Sequence, residues 1–168
     1  MAMTESKETI GKATEADLDG ILALQAANQV ARGGALAAEL SRSSIVEMMH
    51  NMPLIVAKRD GRVTGFLLTS PRTMHAELPV IRAMFNAYAG AADAYVYGPV
   101  CVDPSERGKG LAAEMFAELR RLEPGREGVL FIRTDNEASL RAHRRMGMQE
   151  VAKFELKGAD FAVFSYVG

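Results

Sequence analysis

A short segment rich in glycine and basic residues lies between a strand-like run, Tyr95–Val102, and an amphipathic helix predicted to begin near Leu111. Glycine lets the backbone turn tightly and approach a ligand closely. The first amides of a helix have no intrahelical acceptor and carry partial positive charge. Arg107 and Lys109 add cationic donors. The segment therefore predicts a phosphate or pyrophosphate site, although packing alone can also require glycines before a helix.

A second group of polar residues recurs along one predicted helix near the C-terminus. Their spacing of i, i+3, i+7 and i+11 brings them to one helical face, while Arg141 and Arg145 lie on the opposite side. A polar face of this kind is not an ordinary buried apolar stripe. The pattern therefore indicates a helix that borders a cleft. The residues that share the face are Asn136, Ser139, His143 and Gly147.

Hydrophobic periodicity and turn residues predict the elements that position these two groups. Thr14 is a predicted N-cap, Asp60-Gly61 predicts a hairpin, and Pro79 is expected to interrupt or kink a helix. The order predicts one mixed α/β domain over residues 1–168, with residues 1–12 as a flexible N-terminal segment. The predicted helices start at Thr14, run from Ala35 to about His50, cover Ala76–Tyr88, start near Leu111 and cover Asn136–Met146. The predicted strands are Leu54–Ala57, Val63–Thr69, Tyr95–Val102, Val129–Arg133, Gln149–Leu156 and Phe161–Val167.

Composition excludes several classes of partner. The net charge of −1 gives no electrostatic argument for nucleic acid or for an anionic membrane. The single cysteine, Cys101, fits a reducing compartment, and the polar N-terminus lacks the apolar core of a signal peptide. We therefore expect a cytoplasmic protein. His50 and His75 stand alone in the sequence, so no metal site is predicted.

Together the two motifs resemble the signatures of the GNAT superfamily of acetyl-CoA-dependent N-acyltransferases. The family's main signature, Q/R-x-x-G-x-G/A, is matched by Arg107–Ala112. Its later signature, N-x-x-S-x-x-x-Y-x-x-x-G-F, is matched at Asn136, Ser139 and Gly147. Two positions depart from it: His143 stands where the family usually has tyrosine, and Met148 where it usually has phenylalanine.

The resemblance implies a three-layer domain whose central mixed, mostly antiparallel sheet is splayed in the middle, with helices on both faces. Acetyl-CoA would lie where the strand at 95–102 splays from the strand at 129–134. Backbone groups of Val100 and Val102 would bind the pantetheine arm and the acetyl carbonyl, and amides of residues 108–113 would hold the pyrophosphate. The implied cofactor-binding residues are Val100, Cys101, Val102, Arg107, Gly108, Lys109, Gly110, Leu111, Ala112, Ala113, Asn136, Ser139 and His143.

The implied reaction is direct attack of an amine on the thioester in a ternary complex, which needs a base and a proton donor for the thiolate. His143 is the candidate general acid, at the family's tyrosine position. Tyr97, Asp93 and Glu77 are weak base candidates, since none has a diagnostic spacing. Cys101 alternates with its valine neighbours, so a buried core thiol is favoured over a covalent acetyl-enzyme.

The expected function is acetyl transfer from acetyl-CoA to a primary amine of a small molecule. A protein or peptide N-terminal acetyltransferase and an inactive CoA-binding sensor are the alternatives, and a homodimer is left open. The inserted segment Pro71–Asp93 would either cover the acceptor entrance or form an interface. Methionines around it and the second helix are expected in the core, with an adaptable acceptor pocket as the alternative: Met48, Met49, Met52, Met74 and Met84.

Overall fold

Antiparallel pairing dominates the computed structural model, which describes residues 7–29 and 39–168. The strands are hydrogen-bonded in the order β1-β2-β3-β4-β5-β7-β6. The β4–β5 pair is parallel, whereas β1–β2, β2–β3, β5–β7 and β6–β7 are antiparallel. The predicted mixed α/β fold with a mostly antiparallel sheet is confirmed. In chain order the elements are β1 (Glu8–Lys12), α1 (Leu18–Ala27), α2 (Arg42–Asn51), β2 (Ile55–Arg59), β3 (Arg62–Pro71), α3 (Pro79–Ala87), β4 (Tyr95–Val102), α4 (Leu111–Leu122), β5 (Glu127–Arg133), α5 (Glu137–Arg145), β6 (Gln149–Leu156) and β7 (Ala159–Val167).

The chain divides into two compact units. The first contains residues up to Thr69 together with Gly98–Leu122, and the second contains Ser70–Tyr97 and Glu123–Gly168. The boundary falls within β4, so the strand belongs to the second unit up to Tyr97 and to the first unit from Gly98. The glycine segment accordingly lies in the first unit, and the polar face of α5 lies in the second.

The first unit begins with a strand that the sequence pattern did not predict. Residues 8–12, expected to be flexible, form β1 and pair with β2 from Glu8↔Arg59 to Lys12↔Ile55. This short strand has little apolar content, so periodicity gave no signal for it. Backbone pairing, aided by an ion pair between Glu8 and Arg59, supplies the order instead. Residues 1–6 of the predicted flexible segment lie outside the described residues.

The hairpin between β2 and β3 confirms the prediction made from Asp60-Gly61. Asp60 has a φ of 52° and Gly61 a φ of 80°, which are the positive values that a type I′ turn requires at both central positions. The strands pair from Ile55↔Leu67 to Arg59↔Arg62, with a bulge between Ala57 and Lys58. Arg59 is therefore the last residue of β2 before the hairpin turn.

Two capping residues, Thr14 and Ser41, precede the first two helices. Thr14 caps a 3-10 turn that leads into α1, where its backbone N–H donates to the Asp17 carboxylate over 2.9 Å. The second helix begins later than predicted, because Ser41 is its N-cap and its hydroxyl accepts from the Ser44 amide. The predicted start at Ala35 lies outside the described residues. The predicted amphipathic character of α4 is confirmed, and the buried residues of its apolar stripe are Leu111, Met115, Phe116 and Leu119.

The second unit packs α3 against β-strands. Its predicted helix from Ala76 is wrong at the start: Pro79 is the first residue of α3 rather than a kink within it, because a missing N–H costs nothing in the first turn. The inner face of α3 is buried in an apolar cluster. That cluster consists of Ile81, Met84, Ala94, Val96, Val129 and Val163.

Candidate functional site

The glycine segment of the first unit forms an open turn in front of α4. Gly108 and Gly110 both have a φ of 79°, and a Cβ built on either residue would meet no heavy atom within 4 Å. The helix makes its first bond from the Glu114 amide to the Gly110 carbonyl over 3.1 Å. The amides of residues 111–113 precede that bond and have no intrahelical acceptor. The turn thus offers backbone N–H donors at a place where a ligand could approach the protein backbone closely.

The two cations of the turn are each held by a polar neighbour. The Lys109 ammonium donates to the Glu106 carboxylate over 3.1 Å. The Arg107 guanidinium donates to the Asn28 side-chain oxygen and to the Val102 carbonyl, both over 3.3 Å. The set of amides, guanidinium and ammonium fits a pyrophosphate group, because all of these groups donate hydrogen bonds to anions.

The strand that leads into the turn contains the other predicted contacts of the first unit. Val100 and Val102 are half-buried, and Cys101 is buried. Burial raises the pKa of the Cys101 thiol to about 11, so the thiol is protonated at neutral pH and is not a ready nucleophile. The core assignment of Cys101 agrees with this burial. The peptide bond between Gly98 and Pro99 is cis.

In the second unit, the polar face of α5 is organised around the backbone of the helix. Asn136 is the N-cap, and its side-chain oxygen accepts from the Ser139 amide over 3.2 Å. The Ser139 carbonyl in turn accepts from His143 Nδ1 over 2.8 Å, and the Ser139 hydroxyl lies 3.2 Å from the same nitrogen. Asn136 therefore has a structural role that the spacing alone did not distinguish from ligand binding.

Tyr97 and His143 form a buried pair in the second unit, each about 3% exposed. The Tyr97 hydroxyl lies 3.1 Å from His143 Nε2, and the two rings meet edge to face with centroids 5.5 Å apart. A carbonyl can only accept, so the Ser139 carbonyl assigns a proton to Nδ1. In the neutral imidazole, Nε2 then holds the lone pair that accepts from the Tyr97 hydroxyl.

Burial favours the uncharged form of both partners. It lowers the pKa of His143 from its ordinary value, only partly opposed by the bond to the Ser139 carbonyl. It also raises the pKa of Tyr97, and the neighbouring Tyr95 adds to that rise. At neutral pH the pair is therefore a neutral imidazole that accepts from a neutral phenol. Neither a resting imidazolium nor a resting phenolate is favoured.

A pair of tyrosines, Tyr95 and Tyr166, adjoins the Tyr97–His143 pair. The hydroxyls of Tyr95 and Tyr166 are hydrogen-bonded over 2.5 Å, and the Tyr166 ring also meets the Tyr97 ring edge to face at 5.9 Å. Sequence analysis did not select Tyr166. A polar residue facing inward on a buried strand is the signal that could have found it, since buried hydroxyls need partners.

The two carboxylate candidates for a base are exposed. Glu77 lies in the turn before α3, not within the helix as predicted. Asp93 precedes β4, and its backbone carbonyl accepts from the Arg126 guanidinium over 2.7 Å. Of the predicted catalytic residues, the structure brings Tyr97 and His143 together, whereas it gives Asp93 and Glu77 solvent-exposed positions.

The end of the inserted segment is held by a carboxylate that sequence analysis missed. Glu127 accepts from the Tyr88 hydroxyl over 2.7 Å, from the Ala91 amide over 2.6 Å and from the Ser165 hydroxyl over 2.5 Å. Arg72 donates to the Ala91 carbonyl over 2.6 Å. These bonds tie the segment to β5 and β7 within the second unit. The predicted core position is correct for Met84, Met48 and Met52, which are buried, whereas Met49 and Met74 are only half-buried.

Within residues 7–29 and 39–168, no group of three or more His, Cys, Asp or Glu side chains could hold a metal ion. In the same residues, no helix has both the length and the apolar character needed to span a bilayer.

Comparison with known proteins gives a family and a set of structural neighbours. A sequence profile of the Acetyltransferase (GNAT) family matches residues 23–148. No curated protein matches the chain significantly. Three of the similar solved structures share its fold at low sequence identity. An acetyltransferase of the GNAT family from Streptococcus agalactiae has a TM-score of 0.72 and 17% identity, over 96% of this chain and 95% of that one. The Salmonella typhimurium protein yncA, solved with its cofactor acetyl-CoA, has a TM-score of 0.68 and 20% identity, over 96% and 94%. A ribosomal-protein-alanine N-acetyltransferase from Brucella melitensis has a TM-score of 0.66 and 23% identity, over 95% and 99%.

Proposed function

Because the chain belongs to the GNAT acetyltransferase family and is therefore an acyltransferase, we propose that it transfers an acetyl group from acetyl-CoA to a primary amine of a small molecule. The 168 residues act as one N-acetyltransferase domain in this proposal, and the cytoplasm is its compartment, in keeping with the single reduced cysteine.

The observation that carries the proposal is the open turn at Gly108 and Gly110. Both glycines have positive φ and free space where a side chain would lie. The turn leads directly into the unsatisfied amides of α4. Positive φ and open surroundings also occur at Gly125, so the feature that favours a pyrophosphate here is the position of the turn, directly before the first amides of a helix and beside two cations. This favours the cofactor interpretation over the packing alternative.

The bound cofactor supplies an acetyl thioester. The amides of residues 108–113 and the cations of the turn bind the phosphate oxygens of the cofactor. Backbone groups of Val100 and Val102 hold its pantetheine arm and the acetyl carbonyl. Asn136 and Ser139, proposed earlier as cofactor contacts, act in this proposal mainly by setting the start of α5 and the orientation of His143. Pyrophosphate binding at a helix N-terminus is favourable because the helix dipole and the amides act on the same anion.

His143 takes part as a neutral acceptor that becomes an acid during the reaction. A proton leaving the amine passes to the Tyr97 oxygen as the Tyr97 proton passes to His143 Nε2, so the phenol is regenerated and an imidazolium forms. The lowered pKa of His143 makes that imidazolium more acidic than an ordinary one, which favours return of the proton to the leaving thiolate. Tyr97 thus serves as a proton carrier, and Asp93 and Glu77 are not required.

The test is release of free thiol from acetyl-CoA in the presence of two amine panels, one of small primary amines and one of peptides with free N-termini. Turnover with small amines supports the proposal. Turnover confined to peptides would reassign the acceptor to protein N-termini, and CoA binding without turnover on either panel would indicate a sensor. Absence of CoA binding would refute all three.

A further inference from the structure

We propose that Glu106 is a positioning residue for cofactor binding, and this inference rests on the proposed function. Its carboxylate fastens the glycine turn to β2 and orients the Lys109 ammonium beside the turn. Glu106 ends the 3-10 turn Pro104–Glu106, two residues before Gly108. It is a charged residue with only 4% of its side chain exposed, so its burial needs an explanation in terms of partners.

Arg59 is the principal partner of Glu106. The two side chains make paired hydrogen bonds, from Nε to Oε1 over 2.7 Å and from Nη2 to Oε2 over 3.1 Å. This two-bond geometry fixes the carboxylate in direction as well as in distance. Arg59 is itself held on β2 next to the hairpin, and its Nη2 also donates to Glu8 of β1 over 2.9 Å. The turn is therefore braced against a two-strand support.

Lys109 is the second cation bound to Glu106, through the same oxygen, Oε2, that accepts from Arg59 Nη2. Its ammonium lies 3.1 Å from Glu106 Oε2, while 53% of the Lys109 side chain stays exposed. The hydrogen bonds from Arg59 and from Lys109 lower the pKa of Glu106, so the carboxylate stays charged. Of the two cations bound to Glu106, Lys109 is the more exposed.

The exposed glycine turn is anchored at both ends. Glu106 holds the chain before the glycines, and Leu111, which is 2% exposed, holds it after them. The intervening residues 107–110 are exposed. A turn that is fixed before binding loses less conformational freedom on binding, so its affinity is higher. The brace thus contributes to affinity without Glu106 touching the cofactor.

Calorimetric titration of CoA into Glu106→Gln tests this. Glutamine keeps the shape of the side chain but not its charge. We expect the Kd for CoA and the KM for acetyl-CoA to rise about tenfold, as when a charge-assisted hydrogen-bonded pair is broken, with kcat changed less than about twofold since the bound turn still reaches the same state. Arg59→Gln should weaken CoA binding similarly, and the double variant should weaken it by less than the product of the two single effects, because both substitutions remove the Arg59–Glu106 pair.

Glu118→Gln is the matched control. Glu118 lies on α4 and pairs with Arg121 one turn along the same helix, so its loss should leave the Kd unchanged. A purely structural role for Glu106 would lower the melting temperature with an unchanged Kd and KM, and that result would overturn the inference. Should Glu106→Gln not fold, Glu106→Asp is measured instead, and an unchanged Kd there has the same consequence. If the wild-type chain binds no CoA, the proposed function is refuted. If the wild-type chain and Glu106→Gln bind CoA equally well, only this inference is refuted.

Discussion

The two candidate functional regions of the chain differ in the charge and burial of their polar groups. The glycine turn of the first unit depends on formal charges that lie near water: Glu106 is buried, but Lys109 is half exposed. The Tyr97–His143 pair of the second unit is buried throughout and uncharged at neutral pH. Charge near water suits the capture of an anion, whereas a neutral buried pair suits a proton that moves only when a reaction supplies it. Substitutions in the first region should therefore affect affinity, and those in the second should affect turnover.

The largest effect should come from His143→Phe, which keeps a ring but removes both nitrogens. We expect kcat to fall about 100-fold, the lower end of what a general acid–base group contributes, with the KM for acetyl-CoA little changed. Steady-state rates at saturating acetyl-CoA measure it. His50→Phe, at an exposed position of α2, should behave as wild type. Near-normal turnover of His143→Phe with intact CoA affinity would exclude the proton-transfer role.

A smaller effect, and one on affinity, is expected from Gly110→Val. A β-branched residue is strongly disfavoured at positive φ, so the turn must change shape, and strain of this kind costs on the order of 1–3 kcal/mol. We expect about a tenfold rise in the KM for acetyl-CoA with kcat retained. Gly125→Val is the matched control, because Gly125 has a φ of 74° and equally open surroundings. It should lower the melting temperature without raising KM. Equal KM values for the two variants would contradict the assignment of the turn.

The smallest effect concerns stability and pH. The unfolded chain protonates His143 at about pH 6.5, whereas the folded chain does so at lower pH because the ring is buried. Below pH 6.5 the unfolded state therefore binds more protons, and the free energy of unfolding falls by up to about 1.4 kcal/mol per pH unit from this group. Above pH 6.5 this loss is absent. Urea unfolding at pH 7.5 and 5.5 measures it.

In the same measurement His143→Phe should lose less stability than wild type between pH 7.5 and 5.5, since the titrating group is gone. Other groups titrate alike in both proteins, so the comparison isolates the ring. An identical pH dependence in the two proteins would show that His143 titrates normally, and the neutral-acceptor role would then lack its basis.

Local patterns predicted the fold elements well wherever a single segment carried the signal. The amphipathic character of α4 and the Asp60-Gly61 hairpin depend on residues that are neighbours in sequence, and both are confirmed. Prediction failed for β1, whose order comes from pairing with β2. It also failed at Pro79, where the same residue type fits either a kink or a first turn.

The site shows the same division. The glycine turn and the polar face of α5 could be read from spacing, as could the family resemblance. The partners could not: Tyr97 and His143 are 46 residues apart, and Arg59 and Glu106 are 47 apart. No local spacing relates residues so distant, and a lone histidine or glutamate gives no sign of whether it will be charged.

By itself, then, the sequence determined the glycines and amides that can bind an anion, because backbone conformation and helix termini are local properties. It also determined which residues share a helical face. Only the tertiary structure decided that His143 rests neutral against Tyr97 and that Glu106 rests charged against Arg59. The physical reason is that charge state depends on burial and on the neighbour across the strand or helix, and both exist only once the chain has folded.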